Sequence, residues 1–419
     1  MIVSRNKIFF TAISCCIFRF FIFPLDDYPD VFYIYRELIK NKTFFSIAEF
    51  FDFNQLFNSY SCAVVGPRSN FLNYFIGGGF YKCDFFPISF DYVNYFFLIS
   101  SIFIIFLLLN YKLSSLVNSR FKEIFSNVIL NLILLPSTTF FILSLHIDVP
   151  YHFLIISFVM LSFILAFQKK VKLLYPIFLL PLLILILTVP DNQAFIFILL
   201  ILNSLISIYL SKNKFFINLL DRLAIQINTF EIQNLKISRR VLINFVFLGT
   251  IIFMIVFFRF KFLEFLAMPS LESFGDAYKI ASIYINQDNV KEAELLTNYP
   301  IFLRLLGTVQ GLMISTPFGI KPSILTTFLF FYTLWVGLIR VFSFRSNTFP
   351  VFIKIFFLSS MILMFLIISI FPFFSYTKYW LFLLPFAALF LSFAKKLTSI
   401  SFLFIYIELI LKSSWFSIY

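Results

Sequence analysis

Three carboxylates stand close together in the stretch FPLDDYPDVFYIYRELIK, residues 23–40: Asp26, Asp27 and Asp30. Asp27 and Asp30 share one face if the helix that follows extends back this far. Crowded carboxylates resist full ionisation, so one of them can hold or accept a proton near neutral pH. The three residues are therefore candidate catalytic groups for a reaction that removes a proton. Helix capping is the open alternative, because Asp is favoured before a first helical turn.

A second polar group lies in LSLHIDVPYH, which contains His146, Asp148 and His152. These two histidines are the only ones in the chain, and both fall in a short turn between two apolar runs. A zinc site needs three or four ligands in fixed geometry, and one His-x-Asp pair is weak support for it. We therefore predict substrate binding or a polar turn here, and no metal site.

Basic residues form a third group: Arg68, Arg304, and Lys378 followed by Tyr379. Arg304 is the clearest of them, because apolar residues flank it on both sides in TNYPIFLRLLGTVQG. The guanidinium fork matches a phosphate group well. We predict that these residues bind substrate phosphate, although any one of them can also extend to lipid headgroups.

The elements that position these residues are apolar helices. Of 419 residues, 61% are hydrophobic and only 13% are charged, which is typical of a membrane protein and not of a soluble one. The first apolar run is predicted to be a retained helix, because Arg19 interrupts it and no signal-peptidase site follows. Windows of about 20 residues predict ten or eleven spanning helices. They lie near 8–24, 94–110, 124–145, 151–168, 173–189, 193–210, 241–259, 323–340, 355–372, 379–394 and 398–411.

Charge predicts the orientation, because Lys and Arg are retained on the cytoplasmic side of a membrane. With the N-terminus cytoplasmic, the cytoplasmic segments contain 19 Lys and Arg against three acids. The net charge of +13 is then explained by topology, since a nucleic-acid-binding protein gathers its basic residues on one soluble face. We expect no nucleic-acid partner.

Three segments are too long to be turns in this topology. Two are predicted on the outer side, about 25–93 and 260–322, and one on the cytoplasmic side, about 211–240, within a single transmembrane domain covering 1–419. We expect amphipathic helices in the outer pair. Cys62 and Cys83 could form a disulfide there, stabilising the fold by about 3 kcal/mol; two unrelated thiols are the alternative.

The chain contains no Walker loop, no GxGxxG after a strand, no HExxH and no GxSxG. We therefore expect no cofactor, and a donor carried on a lipid fits an outer site better than a cytosolic nucleotide sugar. The predicted spans contain few polar residues beyond Arg19 and Glu408. A transporter needs a polar path at mid-membrane, so this paucity disfavours one.

Three segments give the chain a resemblance to the polyprenyl-phosphate-sugar-dependent (GT-C type) glycosyltransferases and to bacterial O-antigen or exopolysaccharide polymerases. PLDDYPDVFYIYRELIK resembles their acidic first outer loop. LPSTTFFILSLHIDVPYHFLIISFVML resembles their proline-initiated third helix, which ends in a polar pair. FPFFSYTKYWLFLLPFAALFLSF resembles their late aromatic and basic segment, with Lys378 where Arg is more usual.

The resemblance implies a GT-C-like fold in a bacterial inner membrane with its active face periplasmic. Asp26 or Asp27 would act at the acceptor hydroxyl, and Arg304 with Lys378 would hold the lipid phosphate. The implied function is repeat-unit polymerisation of O-antigen or a related surface polysaccharide; a single-sugar GT-C transferase and a lipid-linked oligosaccharide flippase or other transporter remain alternatives. The implied partners are an undecaprenyl-diphosphate-linked saccharide, membrane lipids, and a chain-length regulator or flippase of the same pathway.

Overall fold

The computed structural model describes residues 4–22, 92–114, 119–138, 149–170, 191–228, 243–244, 246, 323–370 and 377–412. Nearly all of these residues are helical, and none of them is in a strand. The predicted all-α class is therefore confirmed for this part of the chain. The predicted outer segments about 25–93 and 260–322 lie outside it, apart from the first residues of one helix.

The described helices follow the apolar windows closely. They are α1 (Arg5–Ile22), α2 (Tyr92–Ser114), α3 (Ser119–Leu134), α4 (Val149–Phe167), α5 (Asp191–Leu210), α6 (Lys214–Asn228), α7 (Ile324–Phe342), α8 (Val351–Ile370), a 3-10 helix (Thr377–Leu383), α9 (Leu384–Ala394) and α10 (Lys396–Lys412). The window near 173–189 lies outside the described residues, as does nearly all of 241–259.

One predicted helix is divided in two. The window near 379–394 begins as the 3-10 helix and becomes α9 only at Leu384. Pro385 lies in the first turn of α9. Proline lacks a backbone N–H and fits the first turn of an α-helix better than its interior, which explains why the regular helix begins beside it.

A helix also occupies part of the segment predicted as a cytoplasmic loop. Asn213 begins α6, because its side-chain oxygen accepts a hydrogen bond from the Phe215 N–H at 2.8 Å. Leu220, Ala224 and Ile227 then form its buried stripe, at the spacing of an amphipathic helix. The axis of α6 turns 85° from that of α5, so α6 crosses the end of the bundle.

The centre of the bundle depends on a close contact between α7 and α9. A Cβ added at Gly337 would overlap the carbonyl oxygen of Phe390. Small residues at helix contacts allow such approach of two backbones. Almost all of α9 is buried, and it also packs against α3, while α10 packs against α7.

One end of the bundle, which we call the basic end, is marked by aromatic contacts. The Phe167 ring lies 4.6 Å from that of Phe121 and 5.6 Å from that of Phe349, between ring centroids. Phe349 in turn contacts Phe393 at 6.0 Å, and Arg340 Nη1 donates to the Phe393 carbonyl at 2.6 Å. The helix ends that meet here are all ones that the charge distribution assigns to the cytoplasm.

The opposite end joins α1, α3, α7 and α10. The rings of Phe18 and Tyr406 are 5.3 Å apart, and the Tyr406 hydroxyl donates to the Leu134 carbonyl at 3.1 Å. Ser323 at the start of α7 bonds to Glu408 near the end of α10. Helix ends that the charge distribution assigns to one side of a membrane thus lie at one end of the bundle.

Some of the described helices have the apolar character of membrane helices. Two stretches, Leu325–Phe342 and Val351–Ser369, are long and apolar enough to cross a membrane, and the bent pair Phe195–Leu210 and Lys214–Asn228 is a further candidate. On α8 the side chains of Leu358, Ile362 and Leu366 are 41–60% exposed and fall on one face. Exposed apolar stripes of this kind indicate association with lipid.

Candidate functional site

The opposite end is the candidate site because described helices of two family-like segments, and the helix that precedes the third segment in the chain, have ends there. The helix α1 ends there directly before the segment that contains Asp26, Asp27 and Asp30, and α4 begins there. The 3-10 helix also lies there, because α9 runs from it to Phe393 at the basic end. Of these elements, α4 and the 3-10 helix pack against each other.

Of the predicted site residues, His152 is the one whose side chain the structure describes. It is in the first turn of α4 and is only 1% exposed. Pro150 opens that turn, as the fixed backbone angle of proline favours. The helix α4 packs against the 3-10 helix, in which Trp380 is fully buried.

Lys378 and Tyr379 belong to the 3-10 helix by their backbone. Their side chains lie outside the part that the structure describes. The packing of α4 on this helix therefore brings the backbone of both residues to the element that holds His152. Among the predicted site residues, His152, Lys378 and Tyr379 are the ones that lie on described helices.

Arg19 adds a buried charge to the same end. It lies in the last turn of α1 and is 1% exposed. A guanidinium does not lose its proton in proteins, so a positive charge is retained inside the bundle. Buried charge is costly unless other groups compensate for it, and in membrane helices it often marks a functional position.

Glu408 is a residue whose role the sequence did not reveal. Its carboxylate accepts hydrogen bonds from the Ser323 N–H, the Ser323 hydroxyl and the Thr326 hydroxyl, the last at 2.5 Å. Ser323 is the N-cap of α7, and its hydroxyl also accepts from the Thr326 N–H at 3.3 Å. A negative charge at a helix N-terminus is favourable. Glu408 thus fixes the start of α7 to α10, immediately after the predicted outer segment 260–322.

A carboxylate within an apolar helix was the signal that could have found this contact. The sequence marks Glu408 as a rare acid inside a predicted span, and an acid in such a position usually has a partner. The Ser-x-x-Thr pattern at 323–326 indicates a helix start that offers hydroxyl and N–H donors. The sequence does not show that the two meet.

Polar residues in the helix interiors are more numerous than we expected. Asn131 donates to the Ala388 carbonyl and to the Ser392 hydroxyl at 3.2 and 3.1 Å. Asn203 donates to Ser360 at 2.9 Å. Each bond joins two helices, as is typical of packing contacts between membrane helices. These contacts hold helices together and do not by themselves form a path for a transported solute.

Most of the predicted site residues lie outside the described residues. They are Asp26, Asp27, Asp30, Arg68, His146, Asp148 and Arg304, together with Cys62 and Cys83 of the predicted disulfide. Their roles remain predictions from the sequence.

In the described ranges, no group of three or more His, Cys, Asp or Glu side chains is placed to hold a metal ion. Cys15 and Cys16 are free thiols buried in α1. His146 and Asp148 lie outside these ranges.

Comparison with known proteins adds no relationship. No protein-family model, curated protein sequence or solved structure matches this chain.

Proposed function

We propose that the protein is a glycan-assembly enzyme of a bacterial inner membrane that polymerises lipid-linked repeat units of O-antigen or a related surface polysaccharide. The observation that supports it most is the convergence at the opposite end, where α4, which holds His152, packs against the 3-10 helix. Two of the three segments that resemble GT-C enzymes and polymerases meet at this contact. The third, with the acids, comes directly after α1 in the sequence, and Phe18 of α1 lies at the same end.

The proposed topology has the N-terminus in the cytoplasm and ten or eleven helices across the membrane. The grouping of helix ends supports it, because Arg340 and Phe393 lie together at one end and Tyr406 and Leu134 at the other. The opposite end would then face the periplasm. A lipid-linked saccharide reaches that face without any cytosolic nucleotide.

The proposed reaction is a glycosyl transfer between two lipid-linked saccharides. An acceptor hydroxyl oxygen attacks the anomeric carbon of the donor, and the bond from that carbon to the diphosphate oxygen breaks. Undecaprenyl diphosphate leaves with the electron pair, and the hydroxyl proton passes to Asp26 or Asp27. Arg304 and Lys378 would stabilise the charge on the leaving diphosphate.

His152 and its neighbours would position the saccharide. A buried imidazole has restricted motion, and preorganised polar groups reduce the reorganisation that a reaction requires. His146, Asp148, Arg68 and Tyr379 are proposed to contribute to the same binding surface. No cofactor is needed for this chemistry.

A gel of surface polysaccharide from a deletion strain tests the proposal. The strain is complemented with the wild-type chain, with Asp26→Asn plus Asp27→Asn, or with Arg304→Ala, each checked for its abundance in the membrane. We expect deletion to reduce the ladder of chain lengths to a single repeat unit, and both variants to reproduce that loss at normal abundance.

Two other outcomes would contradict the assignment. A repeat unit that is itself shortened would indicate a single-sugar transferase. A full ladder with the Asp variants would show that the three acids only cap a helix.

A further inference from the structure

The exposed surface of α6 has two distinct strips. Phe215, Leu219 and Leu223 recur every four residues and are 67%, 50% and 39% exposed. Lys214, Asn218 and Arg222 recur at the same interval, are also exposed, and lie beside the first strip. We call these the apolar strip and the basic strip of α6. The third side of the helix, with Leu220, Ala224 and Ile227, faces the protein.

This division into three faces is characteristic of a helix at a membrane surface. Such a helix inserts an apolar face to the level of the acyl chains while its basic residues stay among the headgroups. The 85° turn between α5 and α6 gives α6 the required direction, because α5 packs against α8, one of the two helices that meet the criteria for spanning. A helix lying across the end of the bundle is then parallel to the membrane plane.

Exposed apolar side chains also lie on α5, the helix directly before α6. Leu202, Ile206 and Tyr209 on α5 are 49%, 54% and 72% exposed. Tyr209 lies one residue before the end of α5, and tyrosine is enriched where a membrane helix reaches the headgroups. Exposed apolar residues are therefore present on both helices of the bent pair.

The charge of α6 selects the kind of lipid. Lys212, Lys214 and Arg222 are exposed, whereas Asp221, the one acid of the helix, is directed at the protein. Its two carboxylate oxygens accept from the Ser346 N–H and hydroxyl, each at 2.7 Å. The exposed strips thus carry positive charge only, which is complementary to anionic headgroups.

The position of α6 is fixed relative to the spanning helices. Asp221 bonds to Ser346, and Asn228 donates to the Ser343 carbonyl at 2.8 Å. Ser343 and Ser346 both lie in the connection between α7 and α8. Lys354 of α8 also interacts electrostatically with Asp221. These bonds therefore hold α6 against α7 and α8, the two helices that best meet the criteria for spanning a membrane.

We infer that α6 is an interfacial helix that binds anionic phospholipid of the leaflet at the basic end. Its apolar strip would lie at the level of the acyl chains, and Lys212, Lys214 and Arg222 would contact the lipid phosphates. The inference depends on membrane insertion of the bundle and not on the glycan chemistry proposed above, so the two can fail separately.

Spin-label accessibility in the full-length chain tests the depth of α6. The chain carries Cys62→Ser and Cys83→Ser, and a single thiol is introduced as Leu219→Cys or, as the matched control, Asn218→Cys. The parent without either thiol reports background labelling at the buried Cys15 and Cys16. In vesicles of phosphatidylcholine with phosphatidylglycerol, oxygen should reach the Leu219→Cys label several-fold better than a water-soluble nickel complex does, and the Asn218→Cys label should show the reverse.

A second measurement needs no cysteine change. Phosphatidylglycerol retained by the otherwise wild-type chain is counted by native mass spectrometry, with Lys214→Gln plus Arg222→Gln as the test. Lys169→Gln plus Lys170→Gln is the control, because these two exposed residues remove the same charge from the end of α4. We expect the α6 pair to reduce retention several-fold and the α4 pair to leave it near the wild-type value.

Three results would overturn the inference. Equal nickel accessibility at residues 218 and 219 would place the apolar strip in water. A label at residue 219 that neither oxygen nor nickel reaches would show that protein, such as a second copy of the chain, covers the strip. Equal lipid retention by the two double variants would remove the role of the α6 charges.

Discussion

The two ends of the bundle differ in how far their ionisable side chains are exposed. At the opposite end, Arg19 and His152 are each 1% exposed, and Glu408 is half-buried in hydrogen bonds to α7. At the basic end, Arg222 and Arg340 are exposed. Exposed cations at helix ends are the usual signature of orientation, whereas buried ionisable groups are costly and usually serve a purpose.

Among the described residues at the basic end, Lys354 is the ionisable side chain that is fully buried. It is 1% exposed, but its amine donates to the Phe344 carbonyl and lies 5.9 and 6.0 Å from the centroids of the Phe342 and Phe349 rings. These groups all belong to the connection between α7 and α8 or its flanks. Burial of Lys354 is thus explained locally by the contacts that close this connection, and chemistry is expected at the other end.

The largest effect is expected at the contact between α7 and α9 in the centre of the bundle. Gly337→Ala should destabilise the protein by about 3 kcal/mol or more, because the new methyl group would overlap the Phe390 carbonyl and separate α7 from α9. The midpoint of thermal unfolding of the purified chain measures this. Leu325→Ala on the same helix is the control, because Leu325 is 72% exposed. An unchanged midpoint for Gly337→Ala would show that α7 and α9 are farther apart.

Glu408→Leu tests the opposite end. Loss of the carboxylate leaves the Ser323 N–H and two hydroxyls without their acceptor, and we expect destabilisation of roughly 1–3 kcal/mol. We also expect shorter polysaccharide ladders, because the start of α7 follows the segment that contains Arg304. Ile407→Ala changes an adjacent residue that is 44% exposed. It should alter neither the stability of the protein nor the length of the ladder. A wild-type ladder for Glu408→Leu at normal abundance would separate this contact from activity.

Asp221→Ala tests the basic end. The Ser346 N–H and hydroxyl lose their acceptor, so we expect destabilisation of about 1–2 kcal/mol. Faster hydrogen exchange across 343–350 would detect the change locally, with Arg222→Gln as the exposed control. The ladder should keep its length at matched abundance. A shortened ladder would contradict the contrast between the two ends.

The smallest effect is expected for the hydrogen bond that joins α5 to α8 between the two ends of the bundle. Asn203→Leu removes the bond to Ser360, and hydrogen bonds between membrane helices contribute about 0.6 kcal/mol on average. Thermal unfolding should therefore shift only slightly, by no more than it does for Ser360→Ala. A loss comparable to that of Gly337→Ala would mean that the α5–α8 pair is as essential to the bundle as the α7–α9 contact.

The apolar helices were predictable because hydropathy alone defines them. The windows near 193–210, 323–340 and 355–372 agree with α5, α7 and α8 to within a few residues at each end. The helix α6 was missed because its apolar residues alternate with Lys214, Asn218 and Arg222. A window average cancels such a pattern, while the 3.6-residue period retains it.

The candidate site was predictable only as a set of residue types. The sequence marks Arg19, His152 and Glu408 as polar groups in apolar surroundings. It does not show that Glu408 meets Ser323, or that the helix holding His152 packs on the 3-10 helix, because both contacts join elements distant in the chain. The acids at 26, 27 and 30 stay a prediction, since they lie outside the described residues.

A reconstituted reaction tests the central proposal most directly. The purified chain is placed in lipid vesicles with an undecaprenyl-diphosphate-linked repeat unit, and the lipid-linked products are sized by mass spectrometry while released undecaprenyl diphosphate is measured. The proposal predicts dimers and longer oligomers, with one undecaprenyl diphosphate released for each bond formed. The variant with Asp26→Asn plus Asp27→Asn should form no oligomers and release no undecaprenyl diphosphate. Movement of an unchanged repeat unit between the leaflets, with no oligomer and no release, would contradict it and identify a transporter.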